Sequence, residues 1–168
     1  AWAWVLAGSP HRKLQLIGVT GTNGKSTTAH LISLILTAAG RPTAFIGTLG
    51  ARLPDGTEIA SERTTPEATD LAPMLKQAVK AGAECVAMEV SSHALSQQRV
   101  AGLGFELAVW TNLTRDHLDY HHDMESYFDA KRRLFTDYLA EGGRRVLPVD
   151  DPWGARLLDR PRDGDVSW

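Results

Sequence analysis

The chain has 168 residues, 43% of them hydrophobic and 23% charged, which suits one domain with a core large enough to fold unaided and excludes a disordered or membrane-embedded chain. A formal net charge of -2 argues against general nucleic-acid binding, which gathers a basic excess on one face, so any phosphate-bearing ligand must be held by a local site. The lone Cys85 lies in the apolar run Cys85–Met88 and reads as a packing residue rather than a nucleophile, and no disulfide framework is possible.

The opening Ala1–Ala7 is apolar but lacks a basic leader and is too short to span a bilayer, so neither a signal peptide nor a transmembrane helix fits and a cytoplasmic protein is expected. The absence of an initial Met makes residues 1–12 the expected remnant of a connection from a preceding domain, with residues 13–168 forming the domain itself. Leu14–Thr20 is a β-rich run ending in a Gly-rich turn, and a helical stretch follows over Lys25–Ala39. Gly40 and Pro42 stop that helix, Thr43–Thr48 predicts a second strand, and the Leu53–Gly56 turn predicts a small hairpin. A second helix is expected from Thr65-Pro66-Glu67 to Gly82, with Thr65 as N-cap and Pro66 at its first position. Further on come a strand at Cys85–Val90, a short helix at His93–Arg99, a strand at Glu106–Thr111, a long helix at Met124–Ala140 and a last strand at Arg145–Val149. Strands alternating with helices predict an α/β fold with a mostly parallel, doubly wound sheet, and ligands in such sheets collect beyond the carboxyl ends of the strands.

Gly21-Thr22-Asn23-Gly24-Lys25-Ser26-Thr27 joins the first strand to the first long helix. Its backbone N–H groups and the helix N-terminus can surround an anion, Lys25 can reach the β- and γ-phosphates of ATP, Asn112 follows a neighbouring strand toward the same edge, and the Ser26 hydroxyl can bind Mg²⁺. The usual phosphate-loop pattern carries Gly five residues before the Gly-Lys pair, where this chain has Val19.

Gly18–Ser26 resembles the variant loop shared by Mur ligases and folylpolyglutamate synthetases, both of which use ATP to join an amino acid to a carboxylate. Four further segments, in matching order and spacing, resemble the Mur ligase branch that adds the third residue of the cell-wall peptide: Thr64–Ala68, Met88–Leu95, Thr111–His121 and Tyr127–Lys131. The likeness covers about residues 12 to 158. It implies a central ATP-binding domain, truncated at its C-terminal end, of an enzyme that joins a diamino acid, meso-diaminopimelate or L-lysine, to UDP-N-acetylmuramoyl-L-alanyl-D-glutamate through an acyl phosphate. Family members also carry an N-terminal domain that grips the uridine part and a C-terminal domain that recognises the amino acid, so this chain alone is expected to bind ATP and ligate nothing. A monomer is expected.

In the family, the positions matching Thr64, Thr65, Ser91, Gln97 and Arg99 bind the UDP-muramoyl dipeptide, and a guanidinium at Arg99 suits a phosphate or carboxylate by its bidentate donors. By position alone, Glu89 at the end of an apolar strand is equally a salt-bridged surface residue and a carboxylate facing a metal; the resemblance makes it a Mg²⁺ ligand. His117 by itself reads as a loop histidine, and the resemblance makes it the ligand of a second Mg²⁺, at which imidazole would also admit Mn²⁺. His93, His121 and His122 read as structural, His11 and His30 as surface residues.

Lys131 stands apart because Met124, Tyr127, Phe128, Leu134, Phe135 and Tyr138 form an apolar stripe and Lys131 falls within it. Burial favours the neutral amine, which can react with CO₂, although a long stem can also carry the charge out to water. The resemblance implies a carbamylated lysine at this position. Arg132 and Arg133 read as a solvated face. A folylpolyglutamate synthetase would not explain Ser91–Leu95 together with Thr64-Thr65-Pro66, and a nucleotide-binding module without catalysis would not require Glu89, His117 and Lys131 together.

Overall fold

The structure, a computed structural model, describes residues 2–158 and 164–167. A short helix α1 (Trp2–Leu6) and a 3₁₀ turn (Pro10–Lys13) lead into β1 (Gln15–Thr20) and α2 (Lys25–Ala38). Then come β2 (Thr43–Gly47), the hairpin strands β3 (Gly50–Arg52) and β4 (Glu58–Ile59), α3 (Ala68–Lys80), β5 (Cys85–Glu89) and α4 (Ser92–Ser96). The second half holds β6 (Phe105–Trp110), α5 (Leu118–His121), α6 (Met124–Thr136), β7 (Leu139–Leu147), α7 (Pro152–Ala155) and β8 (Val166–Ser167).

The strands form one sheet in the order β4-β3-β2-β5-β1-β6-β7-β8. All neighbours from β2 to β8 pair in parallel, while β3 and β4 fold back antiparallel at one edge. The expected α/β class and doubly wound sheet are therefore present. β1, in the middle, reads as a buried strand on both faces, as central parallel strands do. Leu16, Ala44, Ile46, Val86 and Met88 pack with α3, α4 and α6 on one face, whereas Val19, Phe45 and Val109 meet α2 through Ala29 and Ile32 on the other.

Several boundaries differ from the sequence reading for identifiable reasons. Thr65 does not cap α3. Its hydroxyl donates to the Glu89 carbonyl at 2.9 Å and accepts from Ser91 N–H at 3.0 Å, so it is spent on tying this segment to the end of β5, and the helix starts at Ala68 behind Glu67. The helix expected to run to Ala140 ends at Thr136, and the strand expected at Arg145 begins at Leu139. The Gly142-Gly143 pair makes this possible: Gly142 sits at φ 73, and a Cβ on Gly143 would lie 2.9 Å from the Phe105 carbonyl. The chain thus slips in register between Phe105 and Leu107 against β7, a bulge that glycine permits and that breaks the strand signal. The polar stretch from Asp159 lies outside the described residues as far as residue 163. His11 and His30 are half-buried rather than on the surface, edge-on to Trp4 and Phe45. Arg133 is not a solvated residue either, since it donates to the Leu95 carbonyl at 2.8 Å and joins α6 to α4. Among the described residues no helix is long and apolar enough to cross a membrane.

Candidate active site

The loop after β1 is shaped by the segment after β6. Gly21 adopts φ 147, and a Cβ there would fall 1.9 Å from Thr111 Oγ1, so no other residue fits without moving the neighbour. Thr22 N–H donates to the Asn112 carbonyl at 2.8 Å, Asn23 N–H donates to Asn112 Oδ1 at 3.0 Å, and Asn112 Nδ2 returns a bond to the Asn23 carbonyl at 3.1 Å. Thr111 Oγ1 donates to the same carbonyl at 2.6 Å, and Thr114 N–H donates to Thr22 Oγ1 at 3.0 Å. Gly24, at φ 82, then turns the chain into α2, whose first turn carries Lys25, Ser26 and Thr27. With no acidic residue in that turn, the helix end keeps its positive potential for an anion.

Two lysine amines meet at this loop. Lys25 Nζ donates to the carbonyls of Gly21 (3.0 Å) and Thr22 (2.8 Å), and Lys131 Nζ reaches the same Gly21 carbonyl from α6 at 2.7 Å. Lys131 is 1% exposed, so the inward placement on the apolar stripe holds. Burial, and then the Lys25 charge, push its amine well below the ordinary lysine pKa, with Asp116 acting the other way. Burial also lowers Lys25, against the pull of Glu89 and Asp116. The ring of Tyr127 lies under Lys131 Nζ at 4.7 Å, and its hydroxyl lies 3.3 Å from Thr22 Oγ1.

Glu89 is buried at the end of β5, where Thr48 N–H donates to Oε1 at 2.8 Å and Thr48 Oγ1 donates to Oε2 at 3.3 Å. Gly47 leaves the space for this carboxylate, since a Cβ there would be 2.1 Å from Oε1. Thr48 and Gly47 were missed in the sequence; their only signal is that they end a strand beside β5. Thr64 Oγ1 lies 3.0 Å from Thr48 Oγ1, which links Glu89 to the second group of residues. In that group Ser91 caps α4 by accepting from Ala94 N–H at 3.2 Å, and Arg99 donates to the Thr65 carbonyl at 2.9 Å, to Gln97 Oε1 and to Glu67. Glu67 also pairs with Arg63.

His117 is exposed, in the left-handed region at φ 52, with its Nε2 3.5 Å from Asp116. Its ring stands 5.0 Å from His93 and 6.1 Å from Tyr127. His121 is buried, stacked on Tyr127 at 4.9 Å, with Nε2 2.9 Å from Ser92 Oγ. Among the described residues no three His, Cys, Asp or Glu side chains form a preformed metal cage. All these groups surround the carboxyl ends of β1, β2, β5 and β6, the ligand-collecting edge of a parallel sheet.

A family model described as the Mur ligase middle domain matches residues 19–166. The chain belongs to the Mur ligase family. It is 53% identical over 173 aligned positions to the UDP-N-acetylmuramoyl-L-alanyl-D-glutamate--2,6-diaminopimelate ligase of Synechococcus sp. (strain WH7803), covering 99% of this chain and 34% of that protein. The like-named ligase of Thermosynechococcus vestitus (strain NIES-2133 / IAM M-273 / BP-1) is 56% identical, with 92% of this chain and 31% of that protein covered. A solved UDP-N-acetylmuramoyl-L-alanyl-D-glutamate--2,6-diaminopimelate ligase superposes with a TM-score of 0.75 at 34% identity, over 92% of this chain and 31% of that one. A Mycobacterium tuberculosis folylpolyglutamate synthase complexed with ADP and AMPPCP shares the fold, with a TM-score of 0.69 at 19% identity over 99% of this chain and 45% of that one. The chain thus spans about a third of the length of the curated Mur ligases that it matches.

Proposed function

We propose that, within a full-length protein, this chain is the ATP-binding centre of a ligase that joins 2,6-diaminopimelate to UDP-N-acetylmuramoyl-L-alanyl-D-glutamate in peptidoglycan precursor synthesis. The diamino acid is the one named for the relatives above. Residues 13–168 would form the central domain and residues 1–12 its connection to a preceding one. The observation that carries the reading is the convergence of Lys25 and Lys131 on the single carbonyl of Gly21. Two ammonium groups there would repel, and burial at Lys131 adds to that cost. A carbamate on Lys131 turns the repulsion into attraction and gives the site a buried anion beside the phosphate loop.

The residues fit the chemistry of phosphoryl transfer to the γ-carboxylate of the D-glutamyl residue, forming an acyl phosphate that the diamino acid's amine then attacks. That transfer needs positioning and charge neutralisation more than a protein nucleophile. The N–H groups of Gly24–Thr27 would hold the β- and γ-phosphates, Lys25 would leave the loop carbonyls to pair with them, and Asn112, which takes the N–H groups of Thr22 and Asn23, would keep the loop in shape. Glu89 suits Mg²⁺, because its carboxylate has lone pairs beyond the two contacts from Thr48. With no cage of three such side chains among the described residues, Ser26, phosphate and water oxygens would complete the shell, as is usual for that ion. His117 and the Lys131 carbamate would face a second cation, Mg²⁺ or Mn²⁺. A bound divalent cation supplies neutralisation of the charge that spreads over the transferring group. Thr64, Thr65, Ser91, Gln97 and Arg99 would hold the dipeptide substrate, with Arg99 released from Glu67 to meet its anionic part.

The test is ADP release by the full-length enzyme. It is expected to need both the UDP-muramoyl dipeptide and diaminopimelate and to fall about 10²-fold or more in Lys25→Ala. Turnover supported instead by a folate and glutamate would overturn the assignment.

A further inference from the structure

The hydroxyl of Thr20 is fully buried and has no hydrogen-bond partner. Most buried polar side-chain atoms find one, and an orphan of this kind marks either a cost borne for nothing or a contact made in another state. Its place in the fold favours the second. Strand alternation puts Thr20 on the same face of β1 as Leu16 and Gly18. A Cβ on Gly18 would touch Leu134 of α6 at 3.0 Å, so this face looks up at α6. Lys131 lies one helical turn before Leu134 and Thr20 two strand residues beyond Gly18. As α6 runs back against β1 within a right-handed crossover, both steps lead toward the same end of the sheet. The contact of Lys131 Nζ with the carbonyl of Gly21, the next residue, agrees with that placement. The atoms that touch the amine, a carbonyl oxygen and the face of Tyr127, suit a donor or a cation, and the Lys25 ammonium that shares the Gly21 carbonyl would meet an anion by charge. Thr20 alone on this strand face brings an uncommitted O–H.

We propose that Thr20 is a positioning residue, whose hydroxyl donates a hydrogen bond to a carbamate oxygen on Lys131 and so stabilises the modified form. The inference rests on the carbamate reading given above and deepens it. In the modification the neutral Lys131 amine attacks CO₂. A C–N bond forms, one C=O pair moves onto oxygen, and the displaced N–H proton leaves to water. The Thr20 O–H then has its acceptor and the orphan disappears.

The experiment uses the full-length ligase equilibrated with ¹³C-bicarbonate, reading the carbamate carbon by NMR as bicarbonate is varied. Wild type is expected to show a signal that Lys131→Ala lacks. Thr20→Val, which keeps the shape of the side chain, should need about tenfold more bicarbonate for half-occupancy, the scale of a hydrogen bond to a charged group, and Thr20→Ser should stay near wild type. An unchanged bicarbonate dependence in a folded Thr20→Val protein overturns the role of Thr20 while leaving the carbamate intact. If Thr20→Val does not fold, Thr20→Ala set against Thr20→Ser decides in the same way, equal dependence refuting the role. No carbamate signal in wild type at saturating bicarbonate refutes the Lys131 reading and this inference with it.

Discussion

At the scale of single residues, the site is governed by where charge is buried. Lys131→Ala is expected to lower turnover of the full-length ligase by about 10²-fold or more while leaving the thermal midpoint unchanged or raised, because Ala is the better helix former and no buried charge remains to be stabilised. A short carboxylate in solution should restore part of the activity by filling the space the carbamate left. Steady-state rates with and without acetate, beside a melting curve, check this, and near-normal turnover of the variant would sink it. His121 gives a second test. Burial, followed by the charges of His93, Lys131 and His117 and opposed by Asp119, lowers its pKa from 6.5 to about 4. The unfolded chain therefore takes up the proton first as pH falls. The stability contributed by neutral His121 is complete above about pH 6.5 and is lost on the way down to about pH 4. Thermal midpoints of wild type and His121→Asn measured across that window should fall more steeply for wild type; parallel curves would show that His121 titrates normally.

At the scale of elements, the site depends on how strand ends are trimmed. Gly47 closes β2 with no side chain because Glu89 of the neighbouring strand needs the room. Gly47→Ala should therefore displace the carboxylate, cost about 1–3 kcal/mol of stability through overpacking, and raise the Mg²⁺ concentration needed for half-maximal turnover. A metal requirement identical to wild type would contradict the role given to Glu89. The strand, loop and helix around Lys25 were legible in the sequence because an apolar β run, a Gly-rich turn and a helical stretch follow each other without ambiguity. Lys131 was legible because a charge on an apolar stripe is conspicuous. Thr48 was not, since its part depends on β2 lying beside β5, a pairing across 41 residues. The start of β7 was hidden by Gly142 and Gly143, which look like a loop and act as a bulge. Thr65 was misread because its hydroxyl, a good helix cap in isolation, found partners on another strand.

At the scale of the whole molecule, the chain holds a phosphate loop and its surrounding groups on one sheet edge, and about a third of the length of its relatives. The isolated chain is expected to bind a non-hydrolysable ATP analogue weakly, with Lys25→Ala abolishing the heat of binding in calorimetry, and to show no dipeptide-dependent phosphate release. Substantial turnover by the isolated chain would mean that the incoming amino acid needs no further domain. One feature of the loop also sets a schedule for making the protein. The glycine loop at residues 21–24 takes its shape from Thr111, Asn112 and Thr114, some 88 to 92 residues later. β1 likewise waits for β5 and β6 on its two sides. Such distant pairings close slowly and late. On a ribosome the glycine loop is thus made some 88 to 92 residues before the segment that shapes it, so a nascent chain halted at residue 100 would carry the whole glycine-loop sequence and still hold no nucleotide.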